Sequence, residues 1–212
     1  SFIKNDTAEL GNAYVKLALL NHKQRKFAMA GYFFGRSISY FEKTHLKAMV
    51  ILETNNVGYM FAEQKMYKKA REWYEKAYHL AEKFNMKGEA GYVHGNIGQM
   101  FKLEKRYDTA YAMFERDKVY SINSKDYRSA FYAFHGLAEM DYKLGRFDKA
   151  LTLVDSAIKV VQDLKVKPTL FDLLETKALI LSKLNRNEEA IELLVYVNDG
   201  IDSMRKLNLN TA

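Results

Sequence analysis

Small and large apolar residues recur along this chain with a fixed period of forty residues. Ala30, Ala70, Ala110, Ala150 and Ala190 hold the same place in successive segments, and twelve residues before each stands another small residue, Ala18, Gly58, Gly98, Ala138 or Ala178. The residue just before that small one is Leu17, Val57, Ile97 or Leu137, and Lys177 in the fifth segment. Four residues after each alanine comes a large apolar side chain, Phe34, Tyr74, Phe114, Val154 or Leu194. A fixed period of this length is the signature of a solenoid. Within each period two stretches carry helical spacing. Ala90, Val93, His94, Ile97, Met100 and Phe101 predict a helix over 88–103; Glu104-Lys105-Arg106 is a polar break; Tyr107, Ala110, Met113, Phe114 and Val119 predict a second helix over 107–122. Gly145 falls where a helix end needs a left-handed residue, and Pro168 at a helix start, where its missing N–H costs nothing.

The small residues have a packing reason. Antiparallel helices joined by two or three residues approach closely, and a Gly or Ala at the crossing admits the neighbouring backbone while the aromatic of the frame fills the adjoining gap. One such pair cannot bury its apolar face alone, whereas stacked pairs form a continuous core.

The segment Leu137-Ala138-Glu139-Met140-Asp141-Tyr142-Lys143-Leu144-Gly145-Arg146-Phe147-Asp148-Lys149-Ala150 resembles a tetratricopeptide repeat. So do Asn56-Val57-Gly58-Tyr59-Met60-Phe61 with Tyr67-Lys68-Lys69-Ala70, and Asn96-Ile97-Gly98-Gln99-Met100-Phe101 with Tyr107-Asp108-Thr109-Ala110. The resemblance covers nearly the whole chain. The period is longer than the usual repeat of about 34 residues, which is similar to the long-repeat subgroup of bacterial signalling and regulatory proteins. HEAT-like repeats have a comparable period but lack this small-residue and alanine frame. The resemblance implies an all-α fold, a right-handed superhelical solenoid of about five helix-turn-helix repeats spanning 8–47, 48–87, 88–127, 128–167 and 168–207, in a single domain over 1–212.

The resemblance also implies a protein- or peptide-binding scaffold rather than an enzyme, with the partner held in a concave groove lined by the first helix of each repeat. Asn56 and Asn96 match the position that holds a ligand backbone in peptide-binding members, since an amide both donates and accepts. Lys16, Gly136 and Thr176 stand there in the other repeats. One helical turn along the same face come Tyr59, Gln99 and Glu139, and after another turn Lys102 and Tyr142, with Glu63 and Lys143 beside them; Tyr92, Tyr132 and His135 lie to the other side. Aromatic and amide groups interleaved with mixed charge suit peptide recognition. The alternative is a structural assembly unit that self-associates as a homo-oligomer through its ends. If the groove binds, Asn56→Ala with Asn96→Ala is expected to abolish binding with helicity and melting near native; if assembly is the function, those changes are expected to be silent and substitutions at Leu194, Val197 or Ile201 to alter the mass in solution.

Composition narrows this further. With 48 % hydrophobic and 28 % charged residues and one proline, the 212-residue chain suits long uninterrupted helices around a packed core. It has no cysteine, which excludes disulfides, thiolate metal sites and cysteine nucleophiles. No apolar run is long enough to span a membrane and no signal peptide is visible. The chain is expected to be a piece of a longer protein, with a cytoplasmic location favoured and a periplasmic sensor region as the alternative. His22, His45, His79, His94 and His135 make no metal-ligand spacing, Gly88, Gly91, Gly95 and Gly98 lie along a helix rather than in a phosphate loop, and no cofactor or catalytic motif is found.

The net charge of +7 is uneven: residues 1–50 carry +5 and residues 171–212 carry −2. His22-Lys23-Gln24-Arg25-Lys26 is read as a solvated turn rather than a nucleic-acid contact, because a basic stripe with aromatics alongside is missing. Trp73 is expected in an inter-repeat contact. The last helical pattern reaches Ile201, Met204 and Leu207 near Ala212, with Asn198-Asp199-Gly200 as an interruption, either as a makeshift cap or ahead of a further helix.

Overall fold

Ten helices and no strand occupy the described residues: α1(Phe2–Lys23), α2(Phe27–Glu42), α3(Lys47–Glu63), α4(Tyr67–Lys83), α5(Lys87–Leu103), α6(Tyr107–Ser124), α7(Tyr127–Lys143), α8(Phe147–Leu164), α9(Lys167–Lys183) and α10(Asn187–Leu209). This computed structural model describes the backbone of residues 2–164 and 167–209, and their side chains except at 2–6, 128, 161–164, 167–169 and 204–209. The odd-numbered helices α3, α5, α7 and α9 begin within one residue of the repeat boundaries expected from the pattern.

The regularity is set in the turns. Arg25, Lys65, Asn85, Lys105, Lys125, Gly145 and Asn185 all have positive φ between 53° and 75°, and they stand at multiples of twenty residues from one another. Each forty-residue period is therefore two equal halves, a helix and its turn. In the turn after α1, Arg25 N–H donates to His22 O at 2.8 Å and Lys26 N–H to Asn21 O at 2.9 Å, the paired bonds that close a helix with a left-handed residue. The turns after α3 and α7 repeat the longer bond, Met66 N–H to Phe61 O and Arg146 N–H to Asp141 O. The link between α2 and α3 is different: the Thr44 hydroxyl donates to Phe41 O at 2.8 Å and accepts Leu46 N–H at 3.1 Å. Gly145 meets the expectation drawn for it. The other turns place side chains where a Cβ crowds the following carbonyl. Lys105→Gly is expected to raise stability by about 0.5–1 kcal/mol, the relieved crowding exceeding glycine's extra unfolded-state entropy, measurable as a rise in Tm of a few degrees.

Two compact units divide the chain, Ser1–Glu104 and Lys105–Ala212. In the first, α1 pairs with α2 and α3 with α4, and α5 packs on α4 and α3. Its core gathers Ala18, Ala30, Phe34, Ile38, Phe41, Val50, Val57 and Met60 from the first two repeats, with Trp73 half-buried against it. The frame glycine makes room for the frame aromatic rather than for a neighbouring backbone. A Cβ built on Gly58 would lie 2.7 Å from the ring of Tyr74, which is itself buried. In the second unit α6 packs on α7, α7 on α8, α8 on α9 and α9 on α10, around Phe131, Ala138, Ala150, Val154, Ala157, Leu173 and Ile180.

Two expectations about the last repeat are corrected. Asn198-Asp199-Gly200 does not interrupt the helix, since α10 runs unbroken from Asn187 to Leu209. Gly200 is small because a Cβ there would run into the Phe171 ring, so it permits close packing within a continuous helix. Val197 is not an end contact but core, buried with Phe171 and Leu174, whereas Leu194 is 41 % exposed. The expected Met204 and Leu207 contacts lie outside the described side chains, and Ala212 outside the described residues.

Candidate functional site

First helices of successive repeats run side by side, and their side chains meet in a fixed register. Asn96 Nδ2 donates to Asn55 Oδ1 at 3.2 Å in the first unit, and His135 Nε2 lies 3.2 Å from Thr176 Oγ1 in the second; both pairs are 41 residues apart. Thr176 spends its hydroxyl hydrogen on Asp172 O at 3.0 Å, so the His135 bond is donated by the ring N–H. His22 Nε2 stands 2.7 Å from Glu63 Oε2 at the same offset. One repeat plus one residue is the axial step between neighbouring first helices.

This register changes the picture of the two asparagines. Asn96 is tied to Asn55, which is fully buried, and Asn56 Nδ2 donates to Glu53 Oε2 at 3.2 Å. Glu53 is buried at a position where other repeats have Val93, Ala133 and Leu173, and burial holds its carboxyl above the ordinary range while the Asn56 bond opposes the shift. Replacing both asparagines with alanine leaves a buried carboxylate and a buried amide carbonyl without these donors. The double substitution is thus not neutral for folding, contrary to the expectation from sequence, and each lost bond is worth about 1–3 kcal/mol.

In the first unit the register opens a cleft of about 820 Å³. Tyr59, Glu63, Asn96, Gln99 and Lys102, all expected from sequence, line it, and Asn56 and Tyr92 line a smaller recess of about 210 Å³ that shares Tyr59, His22 and Asn96. Tyr59 OH donates to Glu63 Oε1 at 2.9 Å while its ring meets His22 edge-on at 5.9 Å. Burial first, and then the Glu63 bond and charge, hold the Tyr59 phenol above its ordinary value, so it stays a neutral donor. Tyr59 is 42 % exposed and so reaches solvent from the cleft wall.

The cleft also contains residues that the sequence reading placed in a solvated turn. His22, Lys23 and Arg25 border it, and Lys65 and Tyr67 come from the equivalent turn one repeat later. The Arg25 guanidinium sits 5.9 Å from the Phe27 ring centroid. The signal was present, because Arg25 and Lys65 are forty residues apart and share the left-handed turn position. What hid it is that a turn next to a first helix looks solvated until the next repeat is placed beside it.

In the second unit Glu139, Tyr142 and Lys143 line a recess of about 130 Å³ with Thr176 and Leu179. His135 is turned to Thr176 and stacks on Phe131, with centroids 6.0 Å apart, and Tyr132 is exposed. His94 is structural: it is buried, bonded through Nδ1 to Ala90 O at 2.8 Å, and set edge-on to Tyr78. Among the described residues no three His, Asp or Glu converge as a metal site requires, and no helix is long and apolar enough to cross a membrane.

The comparisons agree with this architecture. The tetratricopeptide repeat family model matches residues 55–84. The chain superposes on BtubC from P. vanneervenii with a TM-score of 0.80 at 13 % identity, covering 94 % of this chain and 82 % of that one. With aspartyl phosphate phosphatase F from Bacillus subtilis the TM-score is 0.77 at 21 % identity, covering 93 % of this chain and 50 % of that one. A Rap protein complexed with competence and sporulation factor gives 0.67 at 14 % identity, covering 94 % and 66 %. No curated protein gives a significant sequence match. At these identities the structural likeness concerns the fold.

Proposed function

We propose that this chain, an α-solenoid of tetratricopeptide-like repeats, is a protein-interaction scaffold and that the first-helix face of its first unit binds a peptide segment. The observation that carries this is the cleft of about 820 Å³ in which an exposed tyrosine, two amides and charged groups converge. An open cleft of that size accepts several residues of an extended chain, with Gln99 and the remaining valences of Asn96 available to its backbone. Glu139, Tyr142 and Lys143 form a smaller subsite of the same chemistry on the second unit, where Tyr132 and His135 belong to the same set. A sensory or regulatory role within a longer protein is the broader form of the proposal. It is supported by the likeness to a Rap protein whose structure holds competence and sporulation factor.

Tyr59→Ala with Gln99→Ala is the appropriate probe, because neither residue donates to a buried acceptor among the described contacts. It is expected to lose a partner captured by the native chain, by about tenfold or more in Kd, while far-UV circular dichroism and Tm stay close to native. Equal retention by both proteins, measured by surface plasmon resonance, moves the interface elsewhere.

A second reading, self-association, is favoured by one observation: Ile191, Leu194, Val195 and Tyr196 are exposed together on α10. On that reading Leu194→Glu lowers the mass measured by sedimentation, and the groove substitutions do not.

A further inference from the structure

Charge along the rim of the first-unit cleft is one-sided. Lys23, Arg25, Lys65 and Lys102 border it, and Glu63 is the carboxylate among its described lining residues. Glu63 is already engaged, since Tyr59 OH donates to one carboxylate oxygen at 2.9 Å and His22 Nε2 meets the other at 2.7 Å. The carboxylate thus already has a neighbour on α1 and another on α3, while its side chain stays 41 % exposed. Lys23, Arg25 and Lys65 are exposed and form no ion pair with a carboxylate among the described residues. Arg25 and Lys65 are placed by equivalent turns one repeat apart, and Arg25 lies against the Phe27 ring. Like charges set around one concavity repel one another, and an anionic occupant relieves that repulsion while the low-dielectric wall strengthens each attraction.

We infer that the cleft selects an acidic peptide segment, whose Asp and Glu side chains meet Lys23, Arg25 and Lys65 while its backbone lies along Asn96 and Gln99. This rests on the peptide-binding reading proposed above and specifies its ligand. Glu63 is in this account a positioning residue that fixes His22 and Tyr59, not a group that touches the ligand. A ligand engaged through internal side chains also needs no free chain end.

The test is selection of random dodecapeptides displayed on phage, fused to the coat protein at their C-terminus so that no terminal carboxylate is free. Selection is run on the native chain and in parallel on Tyr59→Ala/Gln99→Ala. Peptides enriched only on the native chain are expected to be acidic relative to the unselected library. An enriched peptide, synthesised with an amidated C-terminus and a fluorescent label, is expected to bind about tenfold more weakly to Lys23→Gln/Lys65→Gln, and to weaken on raising salt from about 0.05 to about 0.5 M. Lys23 is the exposed last residue of α1 and Lys65 an exposed turn residue, and circular dichroism checks that the variant folds. Groove-dependent peptides that are neutral or basic overturn the acidic selectivity and leave the groove reading standing. Equal enrichment on both proteins, or none on either, overturns the groove reading and this inference with it.

Discussion

Phe34→Ala is expected to cost about 3–5 kcal/mol of stability, and Leu194→Ala, at the same position of the repeat, less than about 1 kcal/mol. Phe34 is 1 % exposed, packed among Ala18, Ala30, Val57 and Met60, so truncation removes a whole buried ring and leaves a cavity bounded by helices that cannot all collapse into it. Leu194 lacks such a cover. The same comparison holds on the first helices, where Leu137 is fully buried and Leu17 is 41 % exposed. Urea unfolding followed at 222 nm measures both substitutions. Comparable losses for the two would show that burial by a following helix is not what the frame position contributes. Because repeat stability is a sum of local and neighbour terms, the Phe34 loss should fall first on the repeats around it, seen as earlier hydrogen exchange in α1–α3.

The second large effect is a dependence on pH to which Asp117 contributes most. Asp117 is 2 % exposed, at a position where the other described repeats have Ser37, Ala77, Ala157 and Val197. Burial pushes its carboxyl up to about 7 from an ordinary 3.8, the Ser121 hydroxyl that donates to Oδ1 at 2.7 Å pulls it down in part, and the charge of Asp126 adds to the rise. The folded-state value lies above the unfolded one, so the stability this group contributes is complete below about pH 4 and is lost as pH rises through 7. The accumulated loss by pH 8 is on the order of 4 kcal/mol. Buried Glu53, also raised, acts in the same direction. Asp117→Ala should therefore stabilise the chain at pH 8 by about 2–4 kcal/mol and change it at pH 4 by no more than about 1 kcal/mol, the worth of the Ser121 bond. Thermal melts of native and variant proteins from pH 4 to pH 8 read this directly. A native profile that rises with pH, or a variant that shows no gain at pH 8, would show that the carboxyl is ionised at little cost.

A solenoid declares most of its fold in one dimension. The frame alanines Ala30, Ala70, Ala110, Ala150 and Ala190 are all buried, so the period of alanines, their small partners and the following large apolar residues predicted helix count, turn positions and much of the core together. Gly58 against Tyr74 and Gly145 in the left-handed turn follow directly from that pattern. The pattern fails where repetition fails. Asn198-Asp199-Gly200 looked like a break because glycine weakens an isolated helix, whereas here the Phe171 ring occupies the space that a Cβ would need. Val197 looked like an end residue because the one-dimensional frame does not reveal that Phe171 and Leu174 reach it from α9.

The candidate site divides in the same way. The sequence by itself determined the helical face: Asn56, Tyr59, Glu63, Tyr92, Asn96, Gln99 and Lys102 lie where a 3.6-residue period puts them, and they border two adjoining cavities. Only the tertiary structure decided which of those groups remain open to a partner. The axial step between neighbouring first helices commits Asn96 to Asn55 and Glu63 to His22, and brings the cations of two turns to one rim. The physical reason is that periodicity specifies the direction of a side chain from its own helix, while its partners depend on the offset of the next helix, a quantity that arises when the cores pack.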